Sequence, residues 1–172
     1  MGVKDHSESA GRDVSAVRCY VLTVSDSRTQ KTDESGDIAS RLLEAAGHVV
    51  AKRGIVANDF PMIVSAVRTA IDEGADLILA LGGTGVSRRD VTVEAVRSQI
   101  DKELPGFGEV FRALSVEEIG TAAILSRATL GTTSKGNVVA VTPGSPAAVH
   151  LALEKILIPE LKHLLREVRK GS

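Results

Sequence analysis

Gly82-Gly83-Thr84-Gly85 is followed within a few residues by Arg88, Arg89 and Asp90. Glycines permit positive φ and let a ligand come close to the backbone. Backbone N–H groups, two cations and one carboxylate in so short a stretch suit a phosphate with a metal ion beside it. The stretch is not a dinucleotide fingerprint, because the third glycine of G-x-G-x-x-G is missing. It is not a P-loop, because no Gly-Lys-Ser/Thr follows. Without its tail, Gly-Gly-Thr-Gly reads equally as a tight turn, and the Arg-Arg-Asp run as a solvated charge cluster. Three other polar stretches carry comparable groups: Ser25-Asp26-Ser27, Asn58-Asp59 and Pro143-Gly144-Ser145. The carboxylates Asp59 and Asp90, with no Cys/His cluster, favour a hard cation such as Mg²⁺ over zinc. Such equipment fits phosphoryl or nucleotidyl transfer, where positioning and charge stabilisation do most of the catalysis. Asp59 taken alone reads as a helix N-cap.

These groups need elements that bring them together. Leu77-Ile78-Leu79-Ala80-Leu81 is dense enough for a strand buried on both faces of a parallel sheet. RCYVLTV over Arg18–Val24 reads as the first strand, and His48–Val56 as the second. Between them a helix is expected over Gly36–Ala46, capped by Asp33 or Ser35. Another runs from the Asn58-Asp59 cap to about Glu73. This β-α-β-α-β order predicts an α/β fold, a three-layer α/β/α arrangement around a mostly parallel, Rossmann-like sheet. The apolar runs Arg127–Thr133 and Asn137–Thr142 flank Ser134-Lys135-Gly136 and predict an antiparallel hairpin at one edge. A helix begins at Asp90 or Thr92. Pro105–Glu109 is expected to break the chain before short helical pieces from Gly108 and from Ser115. Pro159 is expected to interrupt the last helical stripe and open a final helix. In such a sheet the loops at the carboxyl ends of parallel strands converge, which would bring Asp59 and Asp90 near each other.

Composition narrows the classes. A chain of 172 residues, 43% hydrophobic and 25% charged, is expected to form one soluble domain over 16–169 after a disordered polar tail over 1–15. A formal net charge of -1 gives no support to nucleic-acid binding, and 2% aromatic residues leave no stacking platform. Cys19 is the single cysteine, which excludes an internal disulfide and thiolate zinc sites. It lies within a strand pattern and reads as a buried, inert thiol. The four histidines have no ligand spacing and read as structural or surface residues. No apolar run is long enough to span a membrane, and no signal peptide is evident, so a cytoplasmic location is expected.

Four longer stretches, VSDSRTQKTDESG, GGTGVSRRDVTVEAV, PGFGEVFRALSVEEIGTAAILSRATLG and VTPGSPAAVHLALEKILIPEL, carry a family resemblance over about residues 17 to 168. Their content and order resemble the MoaB/Mog family of molybdenum-cofactor biosynthesis, in wording closest to bacterial MoaB proteins. The resemblance implies a molybdopterin-binding fold and a Mg²⁺-dependent reaction of molybdopterin with ATP that gives adenylylated molybdopterin and pyrophosphate. The family's two functional aspartates fall on Asp59 and Asp90, implied to be catalytic and to bind the metal. Around Asp59 the wording Asn58-Asp59-Phe60-Pro61 departs from the family's commonest form. By resemblance Gly82, Gly83, Thr84, Gly85, Pro143, Gly144 and Ser145 would line the nucleotide and pterin-phosphate site. Ser25, Ser27, Ser35, Gly36, Arg89, Glu109, Ser126 and Arg127 are assigned to binding as well. A homo-oligomer, trimer or hexamer, is implied. A carrier that holds molybdopterin without consuming ATP, and a nucleotide-binding regulator that ignores pterins, stand as alternatives.

Overall fold

Strand β3 (Leu77–Leu81) runs through the middle of the molecule with all five side chains buried. A computed structural model of the protein describes residues 15–170; the predicted tail over 1–15 lies, but for Ser15, outside them. β3 pairs in parallel with β1 (Arg18–Val24) on one side and β6 (Val138–Thr142) on the other. β2 (Val49–Val56) adds to β1, also in parallel. β5 (Thr129–Thr132) and β4 (Lys102–Glu103) extend the far edge antiparallel. The sheet has six strands in the order β2-β1-β3-β6-β5-β4. The predicted mixed sheet with one antiparallel edge is thus present, and that edge holds one strand more than the hairpin expected from the sequence.

Alternation along the central strands divides the core into two layers. Cys19 and Val21 of β1 with Leu77, Leu79 and Leu81 of β3 face one side. There they meet Leu43 of α1 (Glu34–Ala45), Phe111 of α4 (Pro105–Ile119), Val149 of α5 (Pro146–Ala152) and Leu165 of α6 (Ile158–Val168). Tyr20, Leu22, Ile78 and Ala80 face the other side. They pack on Ile63 and Val67 of α2 (Phe60–Asp72) and on Val93 and Val96 of α3 (Thr92–Arg97). The architecture is the predicted three-layer α/β/α.

Several expected boundaries move. Pro105 does not break the chain but opens the 15-residue helix α4, where its missing N–H costs no hydrogen bond. The turn expected to begin at Ser115 is part of the same helix, and a 3-10 segment, Gly120–Leu125, follows. Pro159 lies in the first turn of the final helix α6, as expected, but no break in the chain precedes it. The chain passes from α5 through a π turn, Leu153–Leu157, straight into α6. The first helix begins at Glu34, with Asp33 rather than Ser35 as its cap.

Candidate functional site

β3 and β6 end side by side, and their following loops are in backbone contact. Gly82 N–H donates to Thr142 O at 3.0 Å. A Cβ on Gly144 would lie 3.0 Å from Gly82 Cα, so the two loops pack glycine on glycine. Gly82 and Gly83 have φ of 93° and 63°, the left-handed region that favours glycine. Carbonyls of this loop are taken up by the protein: Gly83 O receives Thr92 N–H at 3.1 Å, and Thr84 O receives Arg127 Nε at 3.0 Å. Among the described residues, the N–H groups of Gly83, Thr84 and Gly85 donate to nothing. A loop with its carbonyls engaged and successive N–H groups free has the polarity of an anion site.

Asp90 closes the next turn. Its Oδ2 accepts from Ser87 Oγ at 2.6 Å and from Ser87 N–H at 3.1 Å. The Ser87 hydroxyl foremost, then the Ser87 N–H, the Arg127 charge and the Asn58 side chain, hold the Asp90 carboxyl below the ordinary carboxylate range against partial burial. Asn58 Oδ1 also accepts Val91 N–H at 3.4 Å. Asp26 ties the β1 loop to both neighbours, accepting Asn58 N–H at 2.9 Å through one oxygen and Arg89 Nη2 at 2.9 Å through the other. Arg88 is exposed and, among the described residues, pairs with no carboxylate.

The loops that carry the predicted residues therefore converge, with varied results for each residue. Asp59 caps α2, its Oδ1 accepting Met62 N–H at 3.0 Å, and its neighbour Asn58 is the residue that reaches Asp90. Ser35 Oγ donates to Gly144 O at 2.7 Å and pins α1 to the Pro143-Gly144 loop. Gly36 N–H caps onto Asp33, and a Cβ on Gly36 would overlap the Asp33 carboxylate. Ser25 Oγ accepts from Ser27 N–H and Arg28 N–H and so shapes its own turn. Ser145 caps α5 by accepting Ala148 N–H at 3.3 Å. Ser126 ends the 3-10 segment, and its carbonyl accepts Arg112 Nη1 at 3.4 Å. Glu109, on the exposed side of α4, has no hydrogen bond to the glycine loops among the described residues. Arg127 is held by protein atoms: Thr84 O, Asp90 O at 2.9 Å and the Glu94 carboxylate.

Sequence reasoning missed one buried network. Asp33, wholly buried, accepts from Thr23 Oγ1 at 2.8 Å, Gly36 N–H at 3.0 Å and Arg53 Nη2 at 2.8 Å. Burial pushes its carboxyl up, but the Arg53 guanidinium, Gly36 N–H and Thr23 hydroxyl outweigh that and hold it below its ordinary value. The one available signal was Asp33 as a candidate cap. Nothing local pointed to Arg53, which lies in a mixed, half-exposed strand.

No three His, Cys, Asp or Glu side chains gather into a metal cluster among the described residues. A Mg²⁺ ion asks for no such cluster, since it is commonly held by one or two carboxylates together with waters and substrate phosphates. Asp90, held ionised beside the glycine loop, has the chemistry such an ion asks for, and Asp59 lies on the neighbouring loop, next to the Asn58 that accepts Val91 N–H.

Residues 20–163 match the family described as "Probable molybdopterin binding domain". The chain belongs to the MoaB/Mog family of molybdenum-cofactor biosynthesis. It is 48% identical, over its whole length and that of the relative, to molybdenum cofactor biosynthesis protein B of Bacillus subtilis (strain 168). It is similar to a crystal structure of a molybdenum cofactor biosynthesis protein B, with TM-score 0.88 and 45% identity over 95% of this chain and 100% of that one. A family member from Pyrococcus furiosus, described as a tungsten cofactor synthesizing protein MoaB, has TM-score 0.81 and 40% identity over 90% of this chain and 98% of that one.

Proposed function

We propose that the protein adenylylates molybdopterin with Mg-ATP. The reading rests above all on the glycine loop, where Gly83, Thr84 and Gly85 leave three successive N–H groups without acceptors among the described residues, beside an ionised Asp90. In the reaction the terminal phosphate oxygen of the pterin attacks the α-phosphorus of ATP. A P–O bond forms to that phosphorus, the bond to the β-phosphate breaks, and pyrophosphate leaves with the electron pair. No covalent enzyme intermediate is needed.

The protein's part is to bind and orient. The loop N–H groups hold phosphate oxygens and stabilise the charge that develops on them. Arg88 and Arg89 supply cationic charge at the mouth, with Arg89 released from Asp26 when a phosphate competes for it. Asp59 and Asp90 would hold Mg²⁺, which supplies charge neutralisation between the phosphates. Ser87 and Asn58 keep the Asp90 carboxyl ionised and in place.

The test is pyrophosphate release from Mg-ATP by the purified protein, with and without molybdopterin. Release should depend on molybdopterin, and Asp90→Asn should lower it by roughly 100-fold while leaving the fold intact. Undiminished turnover in a folded Asp90→Asn protein removes Asp90 from the chemistry. Pterin binding without any pyrophosphate release replaces the enzyme reading with that of a carrier.

A further inference from the structure

Arg127 comes from the turn between the 3-10 segment and β5, yet among the described residues its hydrogen bonds go to groups on or beside the glycine loop. Its Nε donates to Thr84 O at 3.0 Å and its Nη2 to Asp90 O at 2.9 Å, while Nη1 pairs with Glu94 of α3. A peptide unit is planar and trans, so its C=O and the following N–H point in opposite directions. Asp90 O faces Arg127, and Val91 N–H accordingly faces away and is received by Asn58 Oδ1 at 3.4 Å. Thr84 O faces Arg127 in the same manner, so Gly85 N–H faces away from it. That N–H meets no acceptor among the described residues, and Gly85 is exposed.

The opposite orientation of this peptide is sterically open to a glycine and would point a carbonyl oxygen at the place a phosphate must occupy. Something outside the loop must therefore choose between the two. We propose that Arg127 is a positioning residue that sets the orientation of the Thr84–Gly85 peptide and thereby presents Gly85 N–H to a phosphate, without touching the ligand itself. This assignment rests on the phosphate-binding reading of the loop given under the proposed function.

The chemistry of the side chain fits the task. A guanidinium is a rigid planar fork that can serve two carbonyls and a carboxylate at once, whereas an ammonium on a flexible stem cannot hold the same set in one plane. Glu94 fixes the fork from the far side. Burial pushes its carboxyl up, and Arg127 outweighs this and keeps it ionised.

Two measurements on the full chain test the assignment. Amide hydrogen exchange over residues 83–92, read by mass spectrometry without ligand, reports whether Arg127 holds the loop. Calorimetric titration with Mg-ATP reports whether the held loop binds phosphate. Arg127→Ala and Arg127→Lys should both speed exchange of this segment and weaken Mg-ATP binding about 10- to 100-fold. Glu94→Gln should act in the same direction and more weakly, and millimolar guanidinium should restore part of the binding lost in Arg127→Ala. Unchanged loop exchange in a folded Arg127→Ala protein overturns the clamp. Faster exchange with unchanged affinity overturns its role in presenting the N–H. Absence of Mg-ATP binding in the unsubstituted protein overturns the phosphate reading of the loop, and exchange still decides separately whether Arg127 holds it.

Discussion

His48, just before β2, is buried, and its Nδ1 accepts Val17 N–H at 3.4 Å. Burial first, and the charge of Lys162 second, hold its imidazole below the ordinary value of 6.5. In the unfolded chain it takes up a proton near that value, so its contribution is fully present above it. The contribution is lost as pH falls from the unfolded value through the lower folded one. His48→Asn offers an acceptor oxygen in the same region and does not titrate. Thermal melts from pH 7 to pH 5 should show a smaller fall in Tm for His48→Asn than for the unsubstituted protein. An equal fall in both would assign the acid sensitivity elsewhere. Cys19 behaves as its strand pattern predicts, because burial, with Asp76 adding to it, pushes the thiol up to about 12 and leaves no thiolate for chemistry. Single residues of this kind were legible where local context decides them. Asp59 read correctly as an N-cap, but no local pattern pointed to Arg127 as a partner of Thr84 O, 43 positions away along the chain.

Whole elements were legible in proportion to their apolar content. β3 and β6 are continuous buried runs and stand where the sequence places them. α4 was misread because Pro105, Gly106 and Gly108 look like breakers. Pro105 sits where a helix accepts proline, and Gly108 lets the helix press against the residue that leads into β5, since a Cβ there would meet Ala128 O at 2.7 Å. Pro159 opens α6 as expected, but without the interruption that a proline suggests. The helix widens to a π turn over Leu153–Leu157, in the turn that the proline ring would otherwise strike. β4 left no periodic signal at all, being two exposed residues paired to β5. Its place depends on Gly131, where a Cβ would overlap the Ile100 side chain and lie 2.7 Å from Lys102 O. Gly131→Ala should push this edge outward and lower stability by about 1–3 kcal/mol in urea unfolding. A midpoint within error of the unsubstituted protein would mean that the edge yields without cost.

At the scale of the molecule, the three layers followed from strand and helix order, and the convergence of the loops followed from the parallel sheet. The ties that fasten the loops did not, because they join distant positions: Ser35 to Gly144 across 109 residues, and Asn58 to Asp26 across 32. The same separation governs how the chain emerges during synthesis. β3 can pair with β1 once both are made, but its other edge has no partner until β6 is made, where Leu77 meets Val138 and Leu81 meets Thr142. At roughly 5–20 residues per second, the roughly 60 intervening residues take about 3–12 s to make. For that interval an apolar strand with an unpaired edge is open to any other nascent chain. A chain stopped at Gly136, before β6, should therefore bind a hydrophobic dye and sediment as aggregates at concentrations where the full chain does neither. A truncated chain that stays monomeric and dark to the dye would show that the edge is shielded by its own helices. The strand that anchors the site is thus the last in the sheet's centre to be closed, and the time to completion of β6 sets how long the cell must guard it.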